Sequence, residues 1–131
     1  MNSLVSIVTP CYNAEKFIAE TIKSVQEQTY AYWEMIIVDD NSIDDSVSII
    51  KKIQKNDDRI KLIELKENKG PAIARNRAIK EAQGNYIAFL DSDDTWLFDK
   101  LKKQLEFMKN HHVALTFTSY YTNSENKKKM C

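Results

Sequence analysis

Residues 86–96 read Y-I-A-F-L-D-S-D-D-T-W, an apolar run followed by three carboxylates within four residues. Its first five residues are an apolar run that is too short for a helix and is typical of a buried strand in a parallel sheet. The run ends at Asp91, and Asp93 and Asp94 follow directly. In open α/β sheets, ligands bind in the crevice beyond the carboxyl ends of the strands. The stretch therefore predicts a ligand site that begins at Asp91.

The spacing of these carboxylates indicates a metal site. On an extended chain, Asp91 and Asp93 point to the same side, about 6–7 Å apart between Cα atoms. Unpaired, they would repel each other, and Mg²⁺ or Mn²⁺ would relieve the repulsion while bridging to a substrate phosphate. The alternative interpretation is a solvated turn that caps the next helix, with Asp94 or Thr95 as its N-cap.

Strands and helices alternate on both sides of this stretch. The first helix is expected to be capped by Asn13, the second by Ser42, and Gly84 to take a positive φ just past the third. The order predicts a three-layer α/β/α, Rossmann-like fold with a mostly parallel sheet and helices on both faces. The other predicted strands are residues 4–9 (ended by Pro10), 33–38, 60–65, which has an edge-strand pattern, and 113–118.

Composition limits the classes of function. The 131 residues suit one domain, predicted over residues 1–120, followed by a disordered polar tail over 121–131. Nineteen basic and nineteen acidic side chains cancel, which argues against a nucleic-acid partner. There is no apolar run near the ~18 residues of a membrane span and no signal-peptide pattern. Two distant cysteines favour a reducing, cytoplasmic setting, and two glycines argue against a Gly-rich phosphate loop.

Two more predicted strands run into polar residues on the same edge of the sheet. One ends in Pro10-Cys11-Tyr12-Asn13 and the other in Asp39-Asp40. An aromatic ring beside acidic acceptors suits a base and ribose, although a plain turn before a helix also explains the aspartate pair. Arg75 and Arg77 lie two residues apart on a predicted helix, hence about 200° apart, so one of them faces the site.

Four segments carry a resemblance to a known family. They are S-I-V-T-P-C-Y-N (6–13), I-I-V-D-D-N-S-I-D-D-S (36–46), N-K-G-P-A-I-A-R-N-R-A (68–78) and G-N-Y-I-A-F-L-D-S-D-D-T-W (84–96). In this order and spacing they resemble the N-terminal, nucleotide-binding half of a family 2 glycosyltransferase of the GT-A fold. Such enzymes move a sugar from a nucleoside-diphosphate sugar to an acceptor hydroxyl, usually with inversion and a divalent metal, Mn²⁺ or Mg²⁺.

The resemblance also implies roles for individual residues. Asp39 would accept a hydrogen bond from the base, and Asp91 and Asp93 match the family's D-x-D motif. The implied metal ligands are Asp93, Asp91 and, as a second candidate, Asp94. The implied nucleotide-binding residues are Thr9, Pro10, Tyr12, Asn13, Glu15, Asp39, Lys69, Gly70, Arg75, Asp91 and Ser92.

By the same resemblance the nucleotide is UDP, and the acceptor is a saccharide or a lipid-linked saccharide, as in bacterial surface polysaccharide synthesis. The protein would act in the cytoplasm or peripherally at the inner face of the membrane. The family's general base lies in the acceptor-binding half, which is expected beyond Cys131. Two alternatives remain open at this point. One is a nucleotide-binding fragment without turnover. The other is a haloacid-dehalogenase-like phosphatase, because D-S-D-D-T also fits D-x-D-x-T, with Asp91 as nucleophile and Asp93 as acid/base.

Overall fold

One parallel sheet organises the computed structural model, which describes residues 3–110 and 128–130. Its strands are β1 (Val5–Cys11), β2 (Trp33–Asp39), β3 (Ile60–Glu64), β4 (Tyr86–Phe89) and β5 (Lys128–Met130). They lie in the order β3-β2-β1-β4-β5, and neighbouring strands are parallel. The strand β3 is at one edge of the sheet and is the least buried of β1–β3, as its alternating sequence predicts.

Helices cover both faces of this sheet, which confirms the predicted three-layer architecture. They are α1 (Ile18–Gln26), α2 (Ser46–Gln54), α3 (Pro71–Glu81) and α4 (Lys100–Asn110). Side chains of α1, α2 and α4 share one buried cluster with one face of the sheet, and α3 packs on the other face. Because α3 meets the sheet through Ala74 and Ala78, its backbone approaches β1 and β2 closely.

The sequence predicted that Pro10 ends the first strand, and this prediction is wrong. The strand β1 runs on to Cys11, which is paired with Asp39 of β2. The pairing of β1 with β4 stops at Val8, so the missing N–H of Pro10 falls where β4 no longer needs a donor. The strand β1 therefore extends three residues beyond the end of its pairing with β4.

Three predicted local features are wrong because tertiary contacts use the residues differently. Asn13 and Ser42 do not cap helices: their side chains bond to Ile43 and Asp39, and no side-chain cap bond is made at the start of α1 or α2. Gly70, just before α3, takes the positive φ of 95°. Gly84 is instead held tight against β1, where an added Cβ would lie 2.6 Å from Ser6 Oγ.

Two predictions concern the end of the chain. The strand predicted over 113–118 lies outside the described residues. The stretch 121–131 was expected to be disordered, but three of its residues, Lys128–Met130, form β5 beside β4. The domain boundary near residue 120 stays a prediction.

Candidate functional site

A cleft of about 590 Å³ opens at the carboxyl ends of β1 and β4, as the sheet order requires of a ligand site in this fold. Its lining residues come from the ends of β1, β2 and β4, from the stretch that leads into α1, and from the stretch that leads into and begins α3. It is lined by Pro10, Cys11, Tyr12, Asn13, Ala14, Phe17, Asp40, Asn68, Gly70, Pro71, Arg75, Asp91, Ser92 and Asp93.

The structure brings most of the predicted site residues to this cleft. Those that line it are Pro10, Tyr12, Asn13, Gly70, Arg75, Asp91, Ser92 and Asp93. Those that are not among its lining residues are Thr9, Glu15, Asp39, Lys69 and Asp94. Thr9 is fully buried on β1. Glu15 instead joins α2, because its carboxylate accepts the backbone N–H of Asp45 at 3.0 Å.

The acidic residues after β4 form a tight turn. The backbone N–H of Asp94 donates to the carbonyl of Asp91 at 3.1 Å, and the Asp94 carboxylate accepts the N–H of Thr95 at 3.0 Å. Asp91 and Asp93 are both exposed and both line the cleft. The turn between them replaces the extended chain from which their spacing was interpreted. Asp94 serves the turn itself. The alternative interpretation expected Asp94 or Thr95 to cap the next helix, but neither does, because α4 begins only at Lys100.

Asp40 is a cleft residue that sequence reasoning did not select. Only 3% of it is exposed, and its two carboxylate oxygens accept the backbone N–H groups of Lys69, at 2.7 Å, and Gly70, at 2.8 Å. These bonds fix the loop that leads into α3 and brings Asn68, Gly70 and Arg75 to the cleft. The contribution of Lys69 is thus its backbone, while its side chain is exposed.

Asp39 is buried beside the turn that follows β2. Its carboxylate accepts the hydroxyl of Ser42 at 2.5 Å and the backbone N–H of Ser42 at 2.9 Å. Ser42 Oγ in turn accepts the backbone N–H of Asn13 at 2.9 Å. Asp39 does not line the cleft itself, but it is linked through Ser42 to the backbone of Asn13, which does.

Cys11 lines the cleft but is 1% exposed. Burial, together with the negative charge of Asp39, raises the pKa of its thiol to about 12. The thiol is therefore neutral near pH 7 and is a poor nucleophile.

The basic residues on α3 divide as the helix geometry predicts. Arg75 is half-buried on the cleft, whereas Arg77 is exposed and pairs with Glu81 at 3.7 Å. Arg75 shares the lining of the cleft with three carboxylates, those of Asp40, Asp91 and Asp93. The excess of carboxylates favours a bound cation. The arginine favours an anionic ligand with two or more phosphate oxygens.

The residues that could hold a metal ion are Asp91 and Asp93. Within residues 3–110 and 128–130, no group of three or more His, Cys, Asp or Glu side chains converges as a metal cage. Two carboxylates fit Mg²⁺ or Mn²⁺ when phosphate oxygens complete the coordination shell, because such ions commonly take one or two protein carboxylates plus substrate phosphates. The donor set fits a cation that arrives with a diphosphate.

The sequence analysis did not name Phe17 or Asn68 as cleft residues, and it placed Asp40 at this edge of the sheet without assigning it a role. In the sequence, Phe17 stands just before the apolar stripe Ile18–Ile22–Val25, which is a weak signal. In the structure, 51% of Phe17 is exposed. The placement of Asn68 and Asp40 depends on bonds between residues about thirty apart in the chain, for which no local pattern exists.

Comparison with known proteins identifies relatives of the whole described fold. The profile described as Glycosyl transferase family 2 matches residues 6–130. TuaG of Bacillus subtilis, a glycosyltransferase named for a proposed role in teichuronic acid biosynthesis, is 53% identical over 117 residues. WfgD of Escherichia coli, a UDP-Glc:alpha-D-GlcNAc-diphosphoundecaprenol beta-1,3-glucosyltransferase, is 45% identical over 117 residues. Each match covers 89% of this chain and 46% of the relative, so the chain spans about half the length of these curated relatives.

Solved structures agree with this relationship. TarS 1-349 of S. aureus in complex with UDP-GlcNAc superposes with a TM-score of 0.80 at 34% identity, over 92% of this chain and 35% of that one. The mannosyltransferase PcManGT of Pyrobaculum calidifontis, in complex with GDP-Man and Mn²⁺, has a TM-score of 0.77 at 26% identity, over 82% of this chain and 33% of that one.

Among the helices of the described residues, none is long and apolar enough to cross a membrane.

Proposed function

Because the chain belongs to glycosyl transferase family 2, we propose that its cleft binds a nucleoside-diphosphate sugar with UDP as the nucleotide. The observation that carries this proposal is the meeting of Tyr12, Arg75, Asp91 and Asp93 around one cleft. An aromatic face suits a base, and an arginine with two carboxylates suits a diphosphate and its cation. Further support comes from TarS, a similar structure that is known in complexes with UDP and UDP-GlcNAc. Because the chain belongs to this family, we no longer consider the alternative of a haloacid-dehalogenase-like phosphatase.

We assign the nucleoside to the side of the cleft formed by Pro10, Tyr12 and Asn13. The ring of Tyr12 is about half exposed there and offers a stacking surface. Asn13 is held from both sides, because its N–H donates to Ser42 Oγ and its side-chain oxygen accepts the N–H of Ile43. Asp39 is proposed to accept the N–H of the base, with Thr9 and Glu15 behind this side of the cleft.

We assign the diphosphate to the space between Arg75 and the Asp91–Ser92–Asp93 turn, with the backbone of Lys69 and Gly70 forming the adjacent wall. Asp93 and Asp91 would hold a divalent cation, Mn²⁺ or Mg²⁺, with Asp94 supporting the turn. The cation would neutralise charge on the departing nucleoside diphosphate. Arg75 would orient the diphosphate through charge-assisted hydrogen bonds.

For the whole protein we propose transfer of the sugar, with inversion, to a saccharide or lipid-linked acceptor in surface polysaccharide synthesis. The relatives support this assignment: WfgD is named for a diphosphoundecaprenol-linked acceptor, and TuaG for teichuronic acid biosynthesis. A lipid-linked acceptor would place the reaction in the cytoplasm at the inner face of the membrane. The step that this chain can be tested for directly is donor binding.

Replacement of Asp93 by asparagine is expected to weaken binding of UDP in the presence of Mn²⁺ by about ten- to a hundredfold. The reason is that a charged ligand worth about 1.5–3 kcal/mol is lost from the cation. Isothermal calorimetry with UDP, with Mn²⁺ and with EDTA, measures the effect. Asp94→Asn is the matched control and should bind within about threefold of the unmodified chain, because that carboxylate serves the turn and does not line the cleft. Equal affinity with and without Mn²⁺ would remove the cation from the proposal.

Replacement of Asp39 by asparagine is expected to weaken uridine nucleotides by about ten- to a hundredfold, if its carboxylate is the acceptor for the base N–H. The structure calls for a specific control, since Asp39 also holds Ser42. Ser42→Ala removes the hydroxyl partner and leaves the carboxylate intact. A loss in Asp39→Asn that Ser42→Ala reproduces in full would assign Asp39 to the turn and not to the base.

A further inference from the structure

The segment between β4 and α4 carries the two cleft carboxylates but has little regular structure of its own. Within it, the backbone bonds among residues 91–100 are those from Asp94 to Asp91 and from Lys100 to Leu97. A segment of this kind would sample many conformations unless other elements held it. The hydrogen bonds that hold it come from α1 and from the three residues that follow its end, among them a backbone bond from the N–H of Thr29 to the carbonyl of Phe98 at 2.8 Å.

Three buried polar side chains of the α1 region bond to this segment. The hydroxyl of Thr21 donates to the backbone carbonyl of Ser92 at 3.0 Å, and Ser24 Oγ accepts the backbone N–H of Trp96 at 3.2 Å. Gln28 donates to the carbonyl of Leu97 at 2.6 Å and accepts the N–H of Leu101 at 3.0 Å. We call these three side chains, Thr21, Ser24 and Gln28, the α1 ladder.

Burial makes the ladder informative. Thr21 is fully buried, and Ser24 and Gln28 are 9% and 6% exposed. Burying a polar side chain costs free energy unless its hydrogen bonds are made. Each of the three side chains makes a hydrogen bond to the segment between β4 and α4, so this cost is offset.

The Thr21 bond lies at the point that matters for the cleft. Ser92 stands between Asp91 and Asp93, and its carbonyl is bound by α1 while the residues on both sides line the cleft. Holding this peptide fixes the direction in which both carboxylates project. Phe17, just before α1, lines the same cleft, so α1 supports the site at two places.

We propose that Thr21 is a positioning residue, which orients Asp91 and Asp93 for a divalent cation through its bond to Ser92. This inference rests on the proposed cation and diphosphate site. A preorganised pair of carboxylates binds a cation without a further ordering cost, whereas a loosened pair must be ordered by the ligand. Thr21 contacts neither ligand in this scheme, so its effect passes entirely through the acidic turn.

The test compares three variants of the 131-residue chain by calorimetry with UDP, with Mn²⁺ and with EDTA. Thr21→Val keeps the shape and removes the donor, and it should reduce the Mn²⁺-dependent gain in UDP affinity by about three- to tenfold. Its affinity in EDTA should stay unchanged. Thr21→Ser restores a hydroxyl and should restore most of the gain. Ser24→Ala breaks a ladder bond at Trp96, beyond the acidic turn, and should lower the melting temperature while leaving the gain intact.

Mn²⁺ binding by electron paramagnetic resonance, in the presence of UDP, provides a second readout that does not depend on turnover. A Thr21→Val chain with a lower melting temperature but an unchanged Mn²⁺-dependent gain would overturn the positioning role alone. An unmodified chain that binds UDP equally with Mn²⁺ and with EDTA would overturn the cation site and this inference together.

Discussion

Replacement of Asp40 by asparagine is expected to lower the free energy of unfolding by about 3 kcal/mol and to weaken UDP binding as well. Both oxygens of the buried carboxylate accept backbone N–H groups, from Lys69 and Gly70. Each bond to a charged acceptor is worth about 1.5–3 kcal/mol. Asparagine offers one acceptor, and its NH₂ group would face the second backbone donor, so one bond becomes a repulsion.

The loss should reach the ligand because the loop held by Asp40 leads directly into α3 and Arg75. Chemical denaturation measures the stability, and calorimetry with UDP measures the affinity. Asp58→Asn, the same change at an exposed aspartate before β3, is the matched control and should stay within about 0.5 kcal/mol of the unmodified chain. An Asp40→Asn chain of unchanged stability would mean that the loop does not depend on this carboxylate.

Replacement of Glu34 by alanine is expected to lower the free energy of unfolding by about 3–5 kcal/mol, the usual cost of removing one partner from a buried charged network. Its Oε2 accepts the hydroxyl of Ser6 at 2.5 Å and the backbone N–H of Gln83 at 2.7 Å, and its Oε1 accepts Lys61 Nζ at 2.9 Å. Ser6 is fully buried, so alanine would leave its hydroxyl without this acceptor. The network joins β1, β2, β3 and the loop before β4.

This contribution should depend on pH. Burial by itself raises the pKa of Glu34, but the bonds from Ser6, Gln83 and Lys61 outweigh burial and hold the pKa below its usual value of 4.5. A carboxyl group whose pKa is lowered by folding stabilises the fold above its unfolded pKa. That stability is lost as the pH falls through the folded pKa. The difference between the unmodified chain and Glu34→Gln should therefore be largest above about pH 4.5 and shrink below it.

Denaturation curves between pH 3 and pH 7 test both statements. Lys61→Ala is the comparison variant. It should cost at most about 1 kcal/mol, because an ion pair to a half-exposed lysine is weak and screened. Glu34 lies near the amino ends of the strands, away from the cleft, so folded Glu34→Gln should bind UDP normally. A stability difference that is constant over this pH range would contradict the role of the ionised carboxylate.

The fold could be predicted from the sequence because its signal is local. Short buried runs such as residues 33–38 and 86–90, each followed by a helical pattern, describe a parallel sheet whatever the details of packing. The ends of the strands were less predictable. At Pro10, for example, the end of β1 depends on how far the neighbouring strands β2 and β4 continue beside it. Asn13 and Ser42 do not cap helices for a related reason, since their side-chain oxygens accept backbone N–H groups about thirty residues away in the chain.

The sequence predicted that Tyr12, Asp91 and Asp93 would lie close together, because residues that follow the carboxyl ends of parallel strands share one edge of the sheet. Helical spacing predicted that one of Arg75 and Arg77 would face the site, and the family resemblance pointed to Arg75. The tertiary structure added that Asp40 holds the loop before α3 and that Thr21 of α1 holds the acidic turn. Those bonds join residues that lie 30 and 71 positions apart. Such contacts are set by how the elements pack, and a local pattern carries no record of them.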